Sequence, residues 1–256
     1  MGETMETRPT VPDAVAAAWG VRDRTRRKGP KPALTSSRIV QAAIRVADAE
    51  GLEAISMARV AAQAGTAPMS LYRHVSGKEQ LLELMGDAAW GTPPPAPAPP
   101  TAPGESWREG LSRWAWAMRR AATRHPWAAR LPITSLPVLP NQVAWFENAL
   151  TCMRDTGLSE ARKASVILLL SGYVRNVATT EMDIAAAMRD SGLAPDAWMA
   201  RYGTTLRELT DAKRFPALTA FLDAGVFDVA DGPDDEFVFG LERILDGVAA
   251  LVERGR

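Results

Sequence analysis

Residues 56–78 read SMARVAAQAGTAPMSLYRHVSGK, and this stretch decides the fold of the first part of the chain. Ser56 precedes a short helical pattern that Gly65 ends, and Pro68 opens a second helix at a first-turn position where its missing N–H costs little. Two short helices joined by a glycine-containing turn predict a helix-turn-helix, whose second helix enters the DNA major groove. Short helices also meet at glycines in many helical proteins, so an ordinary helical pair stays open as the alternative.

The second of these helices carries side chains that suit DNA. Serine can hydrogen-bond a base edge or a phosphate, arginine can form a bidentate fork with guanine, and Pro68 and Met69 offer apolar contact to a thymine methyl. Tyrosine, histidine and lysine can donate to phosphate and fix the register on the duplex. The candidates in this segment are Pro68, Met69, Ser70, Tyr72, Arg73, His74 and Lys78.

Two further helices are predicted around this pair. Residues 36–50 carry isoleucine, alanine and valine at helical spacing behind a Thr/Ser cap, and Gly51 stops the pattern. Another helix begins at Ser76 or Gly77 and runs through Met85. The segment is therefore long enough for a small helical domain of its own.

A basic arm precedes that domain, although 30 basic and 30 acidic residues leave the chain with no net formal charge. Residues 22–38 hold seven arginines and lysines against the single acidic Asp23, and the central candidates for DNA contact are Arg26, Arg27 and Lys28. Such an arm is often only a solvated face, but beside a helix-turn-helix it predicts contact with phosphates or a minor groove. Farther upstream, helical spacing at Val11, Val15, Ala18 and Trp19 predicts a short helix that tethers the arm to the body.

A proline-rich run, TPPPAPAPPTAP, divides the chain at residues 92–103, where seven of twelve residues are proline. Helix cannot continue through it, and such a run favours polyproline II and acts as a semi-rigid spacer. We therefore expect a basic extension at 1–33, a DNA-binding domain at 34–91, the linker at 92–103 and a second domain at 104–256.

The second domain is expected to be all-α, because no run shows sustained strand alternation. Its predicted helices cover residues 105–124, 141–156, 159–189, 195–209, 214–223 and 234–254. The run Val166 to Val174 is apolar nearly all the way round, which predicts cover on more than one side, and the last helix carries a broad apolar stripe with Gly240 and Gly247 for close approach. Packing within one chain or a subunit interface explains either feature.

Several classes of protein are excluded or disfavoured. The chain has no apolar run of the roughly 20 residues that cross a bilayer and no secretory signal, so we expect a cytoplasmic protein without a membrane partner. Cys152 is the only cysteine and His74 and His125 are the only histidines, which leaves too few ligands for a Cys/His zinc site in one chain. No metal site, cofactor or catalytic residue is predicted. The rival class, a small helical enzyme, would have to use Cys152 with His125, but the cysteine is expected to be buried.

The stretch IVQAAIRVADAEGLEAISMARVAAQAGTAPMSLYRHVSGKEQLLELM resembles the DNA-binding domain of the tetracycline-repressor (TetR) family of bacterial regulators, and the match covers Leu34 to about Met85 without a gap. The most specific part is the pattern LYxHVxxK from Leu71 to Lys78 inside a helix-gap-helix arrangement. GESWREGLSRWAWAMRRA and FVFGLERILDGVAALV in the second domain are similar, more loosely, to the family's regulatory domain. The resemblance implies an all-helical homodimer whose long penultimate and final helices pair in an intersubunit four-helix bundle.

The resemblance also implies roles for individual residues. Bases would be faced by Pro68, Met69, Ser70 and Arg73, the DNA backbone would be contacted by Ser56, Thr66, Tyr72, His74 and Lys78, and Arg59 could join either set. Where tetracycline repressors place a histidine that holds drug-bound magnesium, the stretch here reads AARLPI with Pro132 in that place. Tetracycline–magnesium is therefore not the expected ligand.

An effector pocket is predicted among aromatic and polar residues of the second domain. Tryptophans would supply stacking walls and a few polar groups would orient a mostly apolar organic molecule without a metal. The candidates are Trp107, Trp114, Trp127, Trp145, Tyr173, Asn176 and Glu181. Each tryptophan could instead be plain core, and the polar three could hydrogen-bond across a dimer.

Together these features predict a ligand-responsive regulator, a repressor released from a palindromic DNA operator by a small effector. The alternative class is an architectural or constitutive DNA-binding protein with no effector.

Overall fold

The computed structural model describes residues 13–20, 34–95, 105–133, 136–227, 232 and 234–254. Every regular element within those ranges is helical, as the periodicity predicts. The α-helices are α1 (Asp13–Ala18), α2 (Ser36–Glu50), α3 (Met57–Ala64), α4 (Pro68–Leu71), α5 (Lys78–Trp90), α6 (Trp107–Arg124), α7 (Pro140–Cys152), α8 (Glu160–Ser191), α9 (Pro195–Leu209), α10 (Pro216–Asp223) and α11 (Asp235–Arg254).

Helices α2 to α5 pack around one apolar core. The Thr35 side chain caps α2 by accepting a hydrogen bond from the Arg38 amide, and the main chain leaves the helix at Gly51, whose φ of 87° favours glycine. Ile39, Leu71 and Leu81 are completely buried in this core. Local caps and apolar spacing thus account for the core of these four helices, and the domain boundaries at 34 and 91 stay a prediction.

That first core also takes in side chains from beyond the proline-rich run. Trp127, Ala128 and Leu131 belong to it, and they lie in or next to a 3-10 segment, Pro126–Arg130, that the periodicity did not predict. A Cβ on Gly86 of α5 would meet Leu131 Cδ1 at 3.0 Å, so the backbone of α5 approaches this segment closely. The 3-10 segment therefore docks the second domain onto the first.

The second core lies among α6, α7, α8 and α11. Leu111, Trp114, Leu170 and Phe237 are at most 2% exposed there. Gly240 allows a close approach as predicted, because a Cβ at that position would overlap the hydroxyl of Tyr173. Nothing lies within 4 Å of the corresponding position on Gly247.

Within the single chain, the central part of α8 is covered on one side, and cover of its other side stays a prediction. Val166, Leu170 and Val174 are buried, whereas Leu168 is 72% exposed and Leu169 is 56% exposed. The apolar periodicity is that of a helix packed on two sides, but α6, α7 and α11 of the same chain cover only one of them. The outer side of α8 is an apolar surface in the single chain.

Two further expectations concern local structure. The helix predicted to reach residue 156 ends at Cys152, where a turn follows in which the Thr156 hydroxyl donates to the Met153 carbonyl at 2.7 Å. The upstream helix is confirmed as α1, and Trp19 Nε1 donates to the Val138 carbonyl at 2.8 Å, which tethers it to the body.

Among the helices of the described ranges, none is long and apolar enough to span a membrane.

Candidate nucleic-acid interface and effector domain

Helices α3 and α4 form the two arms of the predicted helix-turn-helix. The Ser56 hydroxyl caps α3 by accepting from the Arg59 amide at 3.2 Å, and Gly65 leaves the helix in the left-handed region with φ of 69°. Pro68 occupies the first turn of α4. The expected geometry therefore arises from one cap, one glycine and one proline.

Helix α4 ends at Leu71 and is therefore shorter than the periodicity predicts. The chain continues as a hydrogen-bonded turn in which the amides of His74 and Val75 both bond to the Leu71 carbonyl, at 2.8 and 3.0 Å. Leu71 and Val75 are buried and fasten this segment to the core. We call residues 68–74 the recognition segment.

The recognition segment turns its predicted DNA-contacting side chains outward. Met69 is 73% exposed and Tyr72 is 48% exposed, although both are large and apolar or aromatic. Pro68 and Arg73 are also exposed, and Ser70, His74 and the preceding Thr66 are half-buried. A surface with an exposed methionine, tyrosine and arginine side by side is suited to a groove with mixed apolar and polar edges.

Arg59 has a partner within the protein. Its Nε and Nη2 donate to Glu50 Oε1 at 3.1 and 2.5 Å, and its Nη1 donates to Gln63 Oε1 at 3.3 Å. The hydrogen bond that Arg59 donates to Glu50 raises the pKa of Arg59 and lowers the pKa of Glu50. Any contact of Arg59 with DNA would have to compete with this bidentate pair.

Lys78 is the first residue of α5 and is exposed. The helix has no side-chain cap at Gly77, so first-turn N–H groups point outward beside the lysine ammonium. Unsatisfied N–H groups and the positive end of the helix dipole favour a phosphate at this position. The basic-arm candidates, Arg26, Arg27 and Lys28, lie outside the described residues.

Asp48 on α2 joins the two domains, and sequence reasoning missed it. Its Oδ1 accepts a hydrogen bond from Trp127 Nε1 at 2.7 Å and lies 2.9 Å from His125 Nδ1. Arg175 of α8 holds the same 3-10 segment from the other side by donating to the carbonyls of Ala129 and Leu131. Burial lowers the pKa of Arg175. The partners are more than 40 residues apart, so no local pattern could have revealed them.

The tryptophan candidates for an effector pocket do not share one cavity. Trp114 and Trp145 form an edge-to-face pair with ring centroids 5.7 Å apart, and Trp114 Nε1 donates to the Trp145 carbonyl at 3.0 Å. Trp107 is half-buried against the same core. Trp127 lies in the other core, where its Asp48 bond holds it. Trp127 thus helps to dock the second domain onto the first, and its place in an effector pocket stays a prediction.

The three polar candidates on α8 also have different surroundings. The Tyr173 hydroxyl lies 2.9 Å from the Phe237 carbonyl on α11, whereas Asn176 is exposed. Glu181 accepts from Arg119 Nη2 at 2.9 Å, and Asp234 accepts from Arg119 Nη1 at 2.5 Å. Glu181 therefore shares an arginine of the protein with Asp234, and its part in an effector pocket stays a prediction.

Arg119 is a residue whose importance the sequence did not indicate. Its side chain is only 11% exposed, and its guanidinium lies 4.6 Å from the ring centre of Phe237 and 5.3 Å from that of Trp116. Ion pairs and ring contacts together hold α6, α8 and the start of α11 in one arrangement.

A groove of about 700 Å³ runs between α8 and α11 on the outer side of the second domain. Its apolar lining comes from Val166, Leu169, Ile244, Gly247, Val248 and Leu251. The exposed faces of these two helices are those in which the sequence predicts a subunit interface. Within the described ranges, no group of three or more histidine, cysteine, aspartate or glutamate residues is placed to hold a metal ion.

Comparison with known proteins gives consistent matches over both domains. Residues 39–85 match the family described as bacterial regulatory proteins, tetR family, and residues 99–252 match the tetracyclin repressor-like C-terminal domain. The HTH-type transcriptional repressor DrrR1 of Streptomyces coeruleorubidus is 39% identical over 90% of this chain and 82% of its own length. The Streptomyces coelicolor TetR family protein ActR, solved in complex with actinorhodin, is 31% identical, with a TM-score of 0.71 over 86% of this chain and 97% of that protein. The ActR complex with (S)-DNPA is 30% identical, with a TM-score of 0.66 over 85% and 98% of the two chains.

Proposed function

The chain belongs to the tetR family of bacterial regulatory proteins, and on that premise we propose that it is a homodimeric repressor released from a palindromic operator by a small organic effector. The observation that carries the proposal is the recognition segment. Its buried Leu71 and Val75 hold an exposed Met69, Tyr72 and Arg73 in one outward-facing group. Methionine, tyrosine and arginine exposed side by side form the mixed apolar and polar surface that reading base edges in a groove requires.

DNA contacts follow from the positions of the side chains. Pro68, Met69, Ser70 and Arg73 read base edges, and Lys78 with the uncapped first turn of α5 binds phosphate. Tyr72 and His74, at the end of the recognition segment, and Thr66, in the turn before it, contact the DNA backbone. Ser56 contributes mainly through its cap on α3.

A second copy of the chain is the proposed occupant of the groove between α8 and α11. Leu169 lines the groove and is more than half exposed, as are Leu168 and Phe239 elsewhere on the same two helices. Gly247 leaves room for a close approach. Burying such residues supplies about 1.5–3 kcal/mol for each large side chain, so a two-fold pairing of these helices is strongly favoured. The result is the four-helix bundle that the family resemblance implies.

The effector is proposed to be a mostly apolar organic molecule that needs no metal. Support comes from the similar protein ActR, whose structures contain actinorhodin and (S)-DNPA. Effector binding would favour a state in which the two recognition segments no longer match major grooves about 34 Å apart. A differential affinity of about 3–5 kcal/mol for that state is sufficient. Acting on an operator places the protein in the bacterial cytoplasm.

A selection from random DNA tests this function directly. We expect the recovered sites to be palindromes, and actinorhodin or a library of aromatic compounds to raise the melting temperature and release the DNA over the same concentration range. Leu168→Asp should dissociate the dimer in sedimentation and abolish operator binding. Leu136→Asp is the matched control, because Leu136 is 83% exposed and belongs to neither α8 nor α11.

The alternative, an architectural or constitutive DNA-binding protein, predicts no response to an effector. A protein of that class would bind DNA with no compound shifting its melting or its DNA affinity. Chelator-sensitive release would contradict the metal-free effector.

A further inference from the structure

Three side chains of α7 donate hydrogen bonds along one line to the chain that leaves the DNA-binding domain. They lie at positions i, i+4 and i+7 and so share one face of the helix. Each donor bonds to the main-chain carbonyl of the residue 54 positions earlier. The pairs are Asn141 Nδ2 with Asp87 O at 3.1 Å, Trp145 Nε1 with Gly91 O at 2.8 Å and Asn148 Nδ2 with Pro94 O at 2.8 Å. We call this set the α7 ladder.

Two acceptors of the α7 ladder, the carbonyls of Gly91 and Pro94, lie beyond the end of α5. The third, the Asp87 carbonyl, also accepts from the Gly91 amide at 3.2 Å, so Asn141 adds a second donor to it. Gly91 ends the helix with φ of 62°, and the following prolines have no N–H and adopt no internal hydrogen bonds in an extended chain. External donors are therefore the means by which this stretch acquires a fixed position.

Contacts beside the ladder strengthen the same attachment. The Asp87 carboxylate accepts from the Gln142 amide at 2.9 Å and from Asn141 Nδ2 at 3.1 Å. Arg113 of α6 donates to the Pro95 carbonyl at 3.0 Å. The first residues of the proline-rich run are thus fastened to α6 and α7 and do not hang as a free spacer.

Asn148 is the most informative member of the ladder. It is only 4% exposed, and its Oδ1 is buried with no hydrogen-bond partner. A buried amide with one unsatisfied oxygen costs stability at a site where a leucine would cost none. The hydrogen bond from Asn148 Nδ2 to the Pro94 carbonyl is the contribution that offsets this cost.

On the basis of the proposed function, we propose that the α7 ladder sets the angle of the DNA-binding domain and so the spacing of the two recognition segments in the dimer. Asn141, Trp145 and Asn148 are positioning residues that touch no DNA. Seven residues of helix place the outer two bonds about 10 Å apart, so a shift of about 1 Å at one end turns the domain by roughly 6°. The ladder acts beside the contacts of the 3-10 segment with α2 and α5, and its row of bonds along α7 opposes rotation of the domain about those contacts.

The positioning role of the α7 ladder can be tested by changing the spacing of the two half-sites in the DNA. The assay compares affinity for the selected palindrome with affinity for the same DNA carrying one extra central base pair, which rotates one half-site by about 35°. We expect the affinity of the wild-type protein for the altered DNA to be lower by about tenfold or more. This loss is comparable to that caused by one mismatched base pair. Asn148→Leu and Trp145→Phe should lose about threefold or less, because each removes one donor while keeping the packing.

Thermal stability separates positioning from a purely structural role. Asn148→Leu should melt near the wild-type temperature, because removal of the unsatisfied oxygen offsets loss of the donor to the half-buried Pro94 carbonyl, while its spacing discrimination falls. Glu147→Ala is the control, since Glu147 lies on the exposed face of the same helix and should keep the wild-type ratio.

The outcomes are distinguishable. Wild-type discrimination in both ladder variants overturns the role of the ladder and leaves the proposed function intact. Loss of discrimination only together with lower melting temperature in both variants also overturns it, in favour of simple stabilisation. A wild-type protein that selects no palindrome refutes the proposed function and the ladder's role with it.

Discussion

Removing Trp127 should damage the DNA-binding domain even though the residue belongs to the second half of the sequence. Trp127 is 6% exposed, packs in the first core and donates to Asp48 at 2.7 Å. Replacing a buried tryptophan by alanine costs about 3–5 kcal/mol, including a cavity that its neighbours cannot close. We therefore expect Trp127→Ala to lower the free energy of unfolding by that amount.

The two contacts to Asp48 provide matched comparisons. Trp127→Phe keeps most of the ring and deletes the Nε1 donor, so we expect a smaller loss of about 1–2 kcal/mol. His125→Ala removes a contact with the same Asp48 oxygen, but both side chains are partly exposed and the loss should stay below about 1 kcal/mol.

Thermal unfolding followed by circular dichroism at one fixed protein concentration measures these effects. A shift of about 2–4 °C for each kcal/mol predicts that Trp127→Ala lowers the melting temperature by about 6–20 °C. Operator affinity should fall with it, because the docked position of the DNA-binding domain is lost. A Trp127→Ala protein that melts within about 3 °C of His125→Ala would refute the shared core.

Three other predictions concern the DNA face and the domain junction. Arg73→Ala and Ser70→Ala should lose about 1–3 kcal/mol of sequence discrimination, whereas Lys78→Ala should weaken operator and random DNA alike; equal losses on both DNAs for all three variants would contradict the roles assigned. Deleting residues 1–31 should flatten the salt dependence of binding by about 0.9 in log–log slope for each lost phosphate contact, and an unchanged slope would mean that the arm is a solvated tail. Burial raises the pKa of Asp87, so the folded state holds this proton more tightly and the stability contributed by the carboxyl falls as pH rises through the raised pKa. The stability of Asp87→Asn relative to wild type should accordingly increase with pH over that window, and a flat difference in denaturant titrations would count against it.

The sequence by itself determined the local structure of the molecule. Caps, glycines and apolar spacing act within a few residues, so α2 to α5 and the helix-turn-helix could be predicted from 34–91 alone. The exposed arrangement around Arg73 follows from that local geometry. The apolar faces of α8 and α11 were also visible as helical stripes, which is why a subunit interface could be anticipated before any contact was known.

Only the tertiary structure decided which partner each side chain met. Trp127 and Trp114 are both tryptophans of the second domain, yet Trp127 packs in the core of the DNA-binding domain and Trp114 pairs with Trp145. The sequence could not distinguish them, because both sites are apolar and only the docking of the two domains brings Trp127 to the first core. Glu181 forms an ion pair with an arginine 62 residues away. The α7 ladder likewise joins carbonyls and donors 54 positions apart. Helical periodicity says which face of a helix is apolar, but hydrogen bonds between distant segments depend on how the finished helices pack.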